Sequence, residues 1–314
     1  MQTIIDPPIL FFVLGILSVF FGTGLKIPMV ISKFLSLYLL MSIGFKGGLA
    51  LFKTGFSIEF LYCLIGGLLL AVLVPVALFF IFKKIVSIAD AAALAATYGS
   101  VSAVTFVAGT TWLEQRGHTF SGALIAVLAF MEAPAIAVGL LLHNKYATLT
   151  ANVKTRSLVH EALFNGSVFL LLGSLAIGFI TGPTGKESVG LFVIDLFKGL
   201  LGFFLLDLGI KSGQTLKRYR IPRRVLAMGI VTPMVAASLA LAWSFMTGIR
   251  LEQAFLLMTL GAGASYIAVP AALKISLPQA NAGLYLTMAL GVIFPFNIII
   301  GLPLYWSFAR YVLG

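Results

Sequence analysis

Apolar residues come along this chain in long blocks. Apolar runs cover approximately 9–25, 34–52, 58–82, 89–111, 120–142, 162–181, 189–212, 225–247, 252–275 and 281–310, with short connections between them. The runs keep neither the 3.6-residue stripe of a surface helix nor the alternation of a half-buried strand; they are apolar on all sides. A bilayer explains such a pattern. Crossing roughly 30 Å of hydrocarbon takes about 20 apolar residues per helix. Only helices and closed β-barrels satisfy their own backbone in lipid, and a barrel would alternate. The pattern therefore predicts an all-α membrane protein with about ten transmembrane helices.

Composition agrees. The 314 residues are 60% hydrophobic and only 10% charged, where a soluble domain carries about 25% charge. The net charge of +11 would suggest nucleic acid in a soluble protein. Here its distribution reads as topology, because cytoplasmic loops collect Lys and Arg. With the N-terminus outside, the inside segments 26–33, 83–84, 145–156, 217–224 and position 274 hold thirteen Lys and Arg. The outside segments hold five: Lys53, Arg116, Lys186, Arg250 and Arg310. Both termini are expected outside the cytoplasm, in an inner membrane. The basic run Lys217 to Arg224 is chiefly a topology signal, with contact to anionic lipid as a lesser role. The first run follows Asp6-Pro7-Pro8 with no basic n-region, so it reads as a retained helix.

Little supports enzyme chemistry. One cysteine, Cys63, allows neither an internal disulfide nor a thiolate metal site. His118, His143 and His160 lie in or beside loops and form no ligand cluster. Gly182-Pro183-Thr184-Gly185-Lys186-Glu187 resembles a phosphate loop only superficially; it lacks the hydroxyl residue after the lysine and is expected to be a turn. No cofactor and no nucleic-acid partner are expected.

The longest connection, 143–161, divides the runs into five and five. Ile43-Gly44-Phe45-Lys46-Gly47-Gly48 matches Leu208-Gly209-Ile210-Lys211-Ser212-Gly213 at a shift of 165 positions. The same shift takes Ser100 to Ser265 and Glu132 to Asn297. Repeats with an odd number of spans enter the membrane in opposite senses, which is the inverted-repeat plan of secondary transporters. The expected units are residues 1–150 and 151–314, each a five-helix repeat.

The fourth and ninth runs carry the candidate chemistry. Ala96-Thr97-Tyr98-Gly99-Ser100-Val101-Ser102-Ala103-Val104-Thr105 and Gly261-Ala262-Gly263-Ala264-Ser265-Tyr266-Ile267-Ala268-Val269-Pro270 place glycines and hydroxyls in mid-membrane. Helices broken there would expose N–H groups for an anion and carbonyls for sodium. Two such breaks crossing at the midplane would bring both together. Small residues that only permit close helix packing are the competing reading. Gly99, Ser100, Ser102, Thr105, Gly263, Ala264 and Ser265 are the expected anion site. Glu132, in Phe130-Met131-Glu132-Ala133-Pro134, and Asn297, in Phe294-Pro295-Phe296-Asn297, are proline-linked hard oxygen ligands and the expected sodium site. A structural charge pair of Glu132 with Lys46 or Lys211 is the alternative. Asp195, Lys198 and Asp207 are expected to pair locally or lie near the interfaces.

These stretches, with Leu277-Pro278-Gln279-Ala280-Asn281, Gly291-Val292-Ile293 and Gly301-Leu302-Pro303-Leu304-Tyr305, resemble the sodium-dependent bicarbonate permease family over nearly the whole chain. Ala103 and Val104 stand where the family pattern has glycine and serine, and Glu132 where it has aspartate. The resemblance implies ten helices in two inverted repeats, with substrate where the fourth and ninth cross. It also implies sodium-coupled bicarbonate uptake, a homotrimer and a cytoplasmic face that docks a small regulatory protein, although the 143–161 loop is short for such docking. The expected function is import of a small anion, bicarbonate first, on an inward sodium gradient. A short-carboxylate permease, proton coupling through Glu132 and a passive channel remain alternatives.

Overall fold

The computed structural model describes residues 7–147, 166–219 and 221–314. Residues 148–161 of the expected inside loop, with Lys154 and Arg156, lie outside the described residues, as does Arg220. The described chain is helical throughout: α1 Pro7–Phe20, α2 Met29–Thr54, α3 Ile58–Phe82, α4 Ile88–Gly99, α5 Ala103–Gln115, α6 Ala123–Tyr146, α7 Gly166–Gly190, α8 Phe197–Arg218, α9 Arg223–Thr247, α10 Leu251–Gly261, α11 Ala268–Ser276 and α12 Ala282–Leu313. One π-helical turn, Leu191–Asp195, joins α7 to α8, and two more interrupt α12 at Thr287–Ile293 and Asn297–Gly301.

Among the described residues seven helical segments are long and apolar enough to cross a membrane. Ten apolar runs become seven such segments for local reasons. The first run yields only the 14 residues of α1, about 21 Å at 1.5 Å per residue. The sixth and seventh runs are helices that meet at a kink and together make up the stretch Phe169–Arg218. The expected turn at 182–187 is a single corner inside it. Gly182 takes φ 52° and ψ −135°, a left-handed conformation that glycine adopts without a Cβ penalty. Pro183 then begins the next turns, where its missing N–H costs nothing. The ninth run is divided between α10 and α11.

The chain forms two compact units. The first comprises Met1–Phe56, Ser121–Ala126 and Phe169–Arg220; the second comprises Ser57–Phe120, Val127–Val168 and Ile221–Gly314. Each takes helices from both sides of residue 150.

Glycine seams hold the first unit. A Cβ on Gly15 would strike the Leu206 carbonyl, and one on Gly209 the Phe12 carbonyl, so α1 and α8 touch backbone to backbone. Gly44 and Gly48 of α2 lie equally close to the Leu171 and Leu175 carbonyls of α7, and Gly178 of α7 to the Phe45 carbonyl. The two matching sequence motifs are thus small-residue packing faces, which suits helices in lipid, where close van der Waals contact replaces the hydrophobic effect. Their lysines are partnered. Lys211 Nζ donates to Asp207 Oδ2 at 2.6 Å, and Lys46 Nζ lies 4.6 Å from the Phe197 ring centroid. Asp207 therefore pairs locally, and Lys211 is not a partner of Glu132.

The second unit is built around α4 and α5, most of whose residues are buried. Pro75 of α3 packs on Gly99 so tightly that a Cβ there would lie 2.5 Å from the proline ring. Gly109 of α5 faces Thr259 of α10. Polar clasps fasten the helix ends. Arg250 donates from Nη2 to Glu59 Oε2 at 2.8 Å and from its N–H to Oε1 at 2.8 Å. That carboxylate raises the Arg250 pKa by hydrogen bonding and charge. His118 Nδ1 meets Glu252 Oε1 at 2.9 Å and stands edge-on to Trp306. The Asn281 N–H donates to Asp90 Oδ1 at 2.7 Å.

Candidate functional site

All nine residues singled out in the sequence fall in the second unit. The helix α4 stops at Gly99, the chain is extended at Ser100 (φ −87°, ψ 175°) and Ser102 (φ −105°, ψ 105°), and α5 starts at Ala103. Glycine and serine favour this stop: glycine loses most entropy in a helix, and serine offers the backbone a competing hydrogen bond. Ser102 is the N-cap of α5. Its Oγ accepts the Thr105 N–H at 3.2 Å and the Thr105 hydroxyl at 2.8 Å.

The second interruption runs from Ala262 to Ile267, between α10 and α11. Ser265 plays the part of Ser102, since its Oγ accepts the Val269 N–H at 3.2 Å. Pro270, in the first turn of α11, has no N–H to satisfy.

The two interruptions touch. The Ser265 N–H donates to the Thr97 carbonyl at 2.9 Å. A Cβ on Gly263 would lie 2.8 Å from the Ser102 nitrogen. Only glycine permits that approach, so Gly263 is where the backbones meet. Helix ends of both polarities gather here: the C-terminal ends of α4 and α10, and the N-terminal ends of α5 and α11. The first N–H groups of a helix have no intrahelical acceptor, and the last carbonyls no intrahelical donor. The ends carry about half a unit charge, positive at the N-terminus and negative at the C-terminus. One point in a buried region thus offers partial charges of both signs.

Several hydroxyls here are buried without partners. Ser100 is 1% exposed, and its Oγ makes no hydrogen bond among the described residues. The same holds for the hydroxyls of Tyr98 and Tyr266. A buried polar atom without a partner costs about 1–3 kcal/mol, and the Tyr98 hydroxyl lies against Gly229 of α9 and not in the interruption itself.

The remaining residues divide by role. Ala264 is buried inside the second interruption. Thr105 commits its hydroxyl to Ser102 and is a weaker candidate ligand than Ser100. Asn297 is fully buried; its Nδ2 donates to the Ala262 carbonyl at 2.7 Å, and its Oδ1 accepts the Tyr305 hydroxyl at 2.7 Å. Glu132 is half-buried on α6 and makes no hydrogen bond or ion pair among the described residues. The tyrosines 98, 266 and 305 were not among the expected site residues. A tyrosine beside a glycine–serine break was the available signal, because a buried phenol normally requires a partner.

A family model described as the Na+-dependent bicarbonate transporter superfamily matches residues 7–310. No curated protein matches the chain. The match spans nearly the whole chain, so the chain belongs to that superfamily, a family of transporters and not of enzymes. Its several apolar helices fit a multi-pass membrane protein.

Proposed function

We propose that this member of the Na+-dependent bicarbonate transporter superfamily is a sodium-coupled symporter that imports bicarbonate, bound where the two helix interruptions meet. The observation that carries this reading is the buried, unpartnered Ser100 hydroxyl beside two helix N-termini. Bicarbonate is a small planar anion that accepts several hydrogen bonds. Ser100 Oγ and Tyr266 OH are donors awaiting an acceptor. Ser102 and Ser265 spend their oxygens on capping and keep their own O–H groups to offer. The positive ends of α5 and α11 favour the charge.

Sodium is the counter-charge. Carbonyls at the ends of α4 and α10 and the Glu132 carboxylate supply hard oxygens of the kind sodium takes. Glu132 supports coupling because it makes no ion pair among the described residues, and an unpaired carboxylate at membrane depth is costly without a function. The same observation favours one second reading, in which Glu132 takes a proton in place of sodium.

Around this site we place two inverted five-helix repeats, 1–150 and 151–314, with fourth and ninth helices that break and cross. The paired interruptions and the paired glycine faces support that symmetry. Alternating access would bring the crossing to each side of an inner membrane in turn, with both termini outside. The family resemblance supports a homotrimer.

The test is uptake of labelled bicarbonate and a panel of short carboxylates into proteoliposomes, with and without an inward sodium gradient. Sodium-driven bicarbonate uptake is expected. Equal uptake without sodium, driven by a pH gradient, would favour the proton reading. Uptake of a carboxylate with bicarbonate excluded would replace the substrate.

A further inference from the structure

Asn297 and Tyr305 sit eight residues apart on α12, both within 1% of full burial. On a regular helix that spacing turns the two side chains about 80° from each other. The π-helical turn Asn297–Gly301 lies between them. A π turn takes in one extra residue, so the pair is spaced as if seven apart and shares a face to within about 20°. The result is a three-membered chain: Tyr305 O–H to Asn297 Oδ1 at 2.7 Å, then Asn297 Nδ2 to the Ala262 carbonyl at 2.7 Å. Ala262 is the first residue after α10, at the start of the interruption that carries Gly263, Ala264 and Ser265.

Only one arrangement satisfies this chain. A carbonyl such as that of Ala262 can only accept, so the amide must turn its NH2 toward it. The amide oxygen then faces Tyr305, which must donate. Were the amide reversed, two oxygens would oppose each other in a buried site. The phenol therefore fixes the amide, and the amide fixes the carbonyl. Space around the amide is also limited, since a Cβ on Gly301 would lie 2.9 Å from Asn297 Oδ1.

The corresponding carbonyl in the first interruption is held differently. The 165-residue shift takes Thr97 to Ala262 and Glu132 to Asn297. Thr97 O accepts the Ser265 N–H, a backbone group, at 2.9 Å. Glu132 is thus released from the task that occupies Asn297.

We propose that Tyr305 and Asn297 are positioning residues, a relay that sets the backbone of the second interruption for anion binding, while ion coupling is left to Glu132. The relay rests on the crossing being the anion site. Tyr305 touches no substrate; it acts through Asn297 and the Ala262 carbonyl. Both sides of the Asn297 amide are engaged, Nδ2 with the Ala262 carbonyl and Oδ1 with the Tyr305 hydroxyl, which makes Asn297 a bolt for the interruption.

The experiment uses the full chain in proteoliposomes, with Tyr305→Phe, Asn297→Asp and Glu132→Gln beside wild type. Half-saturation is measured for bicarbonate at saturating sodium and for sodium at saturating bicarbonate. In parallel, backbone hydrogen exchange of residues 262–268 is followed on purified protein without substrate. Tyr305→Phe is expected to raise the bicarbonate half-saturation about 3- to 10-fold, the effect of one buried neutral hydrogen bond. Its sodium half-saturation should stay within about twofold, because the relay binds no ion. Exchange at 262–268 should quicken in Tyr305→Phe and in Asn297→Asp, and Glu132→Gln should show the opposite kinetic split with exchange unchanged. Unaltered exchange at 262–268 in a folded Tyr305→Phe would overturn the relay, whatever the transport result. A shift confined to sodium half-saturation would overturn it in favour of Asn297 as an ion ligand. A wild type without sodium-driven bicarbonate uptake would sink the transport reading alone, leaving the exchange measurement to decide the relay.

Discussion

Ser100→Ala separates binding from packing at one atom. Ser100 Oγ is buried, and among the described residues nothing bonds to it. In the empty protein this hydroxyl is a burden of about 1–3 kcal/mol relative to a paired one. Alanine removes the oxygen and leaves a methyl in the same small space. The empty variant should therefore be as stable as wild type, or up to about 1 kcal/mol more stable. With the anion present the sign reverses. A hydrogen bond to a charged acceptor contributes about 1.5–3 kcal/mol, so bicarbonate half-saturation should rise roughly 10- to 150-fold. Two measurements decide: thermal unfolding of purified protein without substrate, and bicarbonate uptake in proteoliposomes at saturating sodium. Loss of stability in the empty variant with half-saturation unchanged would refute the argument and make Ser100 a packing residue. Ser102→Ala is the control with a different profile. Its Oγ caps Thr105, so removal should cost about 1 kcal/mol of stability besides any loss of affinity.

Three further outcomes follow. Glu132→Gln, which keeps size and removes charge, should weaken sodium activation more than bicarbonate selectivity; initial uptake rates against sodium concentration check this, and unchanged activation would remove the carboxylate from coupling. Gly263→Ala places a Cβ 2.8 Å from the Ser102 nitrogen, a backbone group that cannot swing aside; a stability loss of about 1–3 kcal/mol with uptake abolished is expected, and a stable, active variant would show that the interruptions do not meet as described. With Cys63 replaced by serine, cysteines at Lys53, near the end of α2, and Lys84, in the turn after α3, both exposed, should be modified by an impermeant reagent only from outside and only from inside, respectively. The reverse pattern would overturn the orientation drawn from the loop lysines.

What the sequence made legible follows from which forces act locally. Lipid demands apolar side chains all round a helix, and that demand is written residue by residue, so the membrane-helix character was readable. The helix ends at Gly99 and Gly261 fall in stretches rich in glycine and hydroxyl residues, which act on their own turn. Partnership across distance was not readable. Nothing adjacent to Asn297 says that its amide NH2 reaches the Ala262 carbonyl. Between the sixth and seventh runs the chain turns at Gly182-Pro183, where one glycine of positive φ joins two helices. The compact units escaped because α1 packs on α8 and α2 on α7, contacts that join opposite halves of the chain.

The glycine seams of the first unit bear on how a mutational survey of this protein would look. Gly15, Gly44, Gly48, Gly178 and Gly209 each face a carbonyl of the neighbouring helix with no room for a methyl group. Even alanine there would force two helices apart, and the damage would register as lost uptake. A screen scored only on growth or transport would therefore rank these positions with or above Ser100 and Glu132, and a map of its hits would draw the eye to a region that offers the anion no donor from these side chains. Scoring membrane abundance beside transport in the same library would sort the two kinds of loss: glycine variants should vanish from the membrane, while serine and glutamate variants should accumulate there and fail to transport.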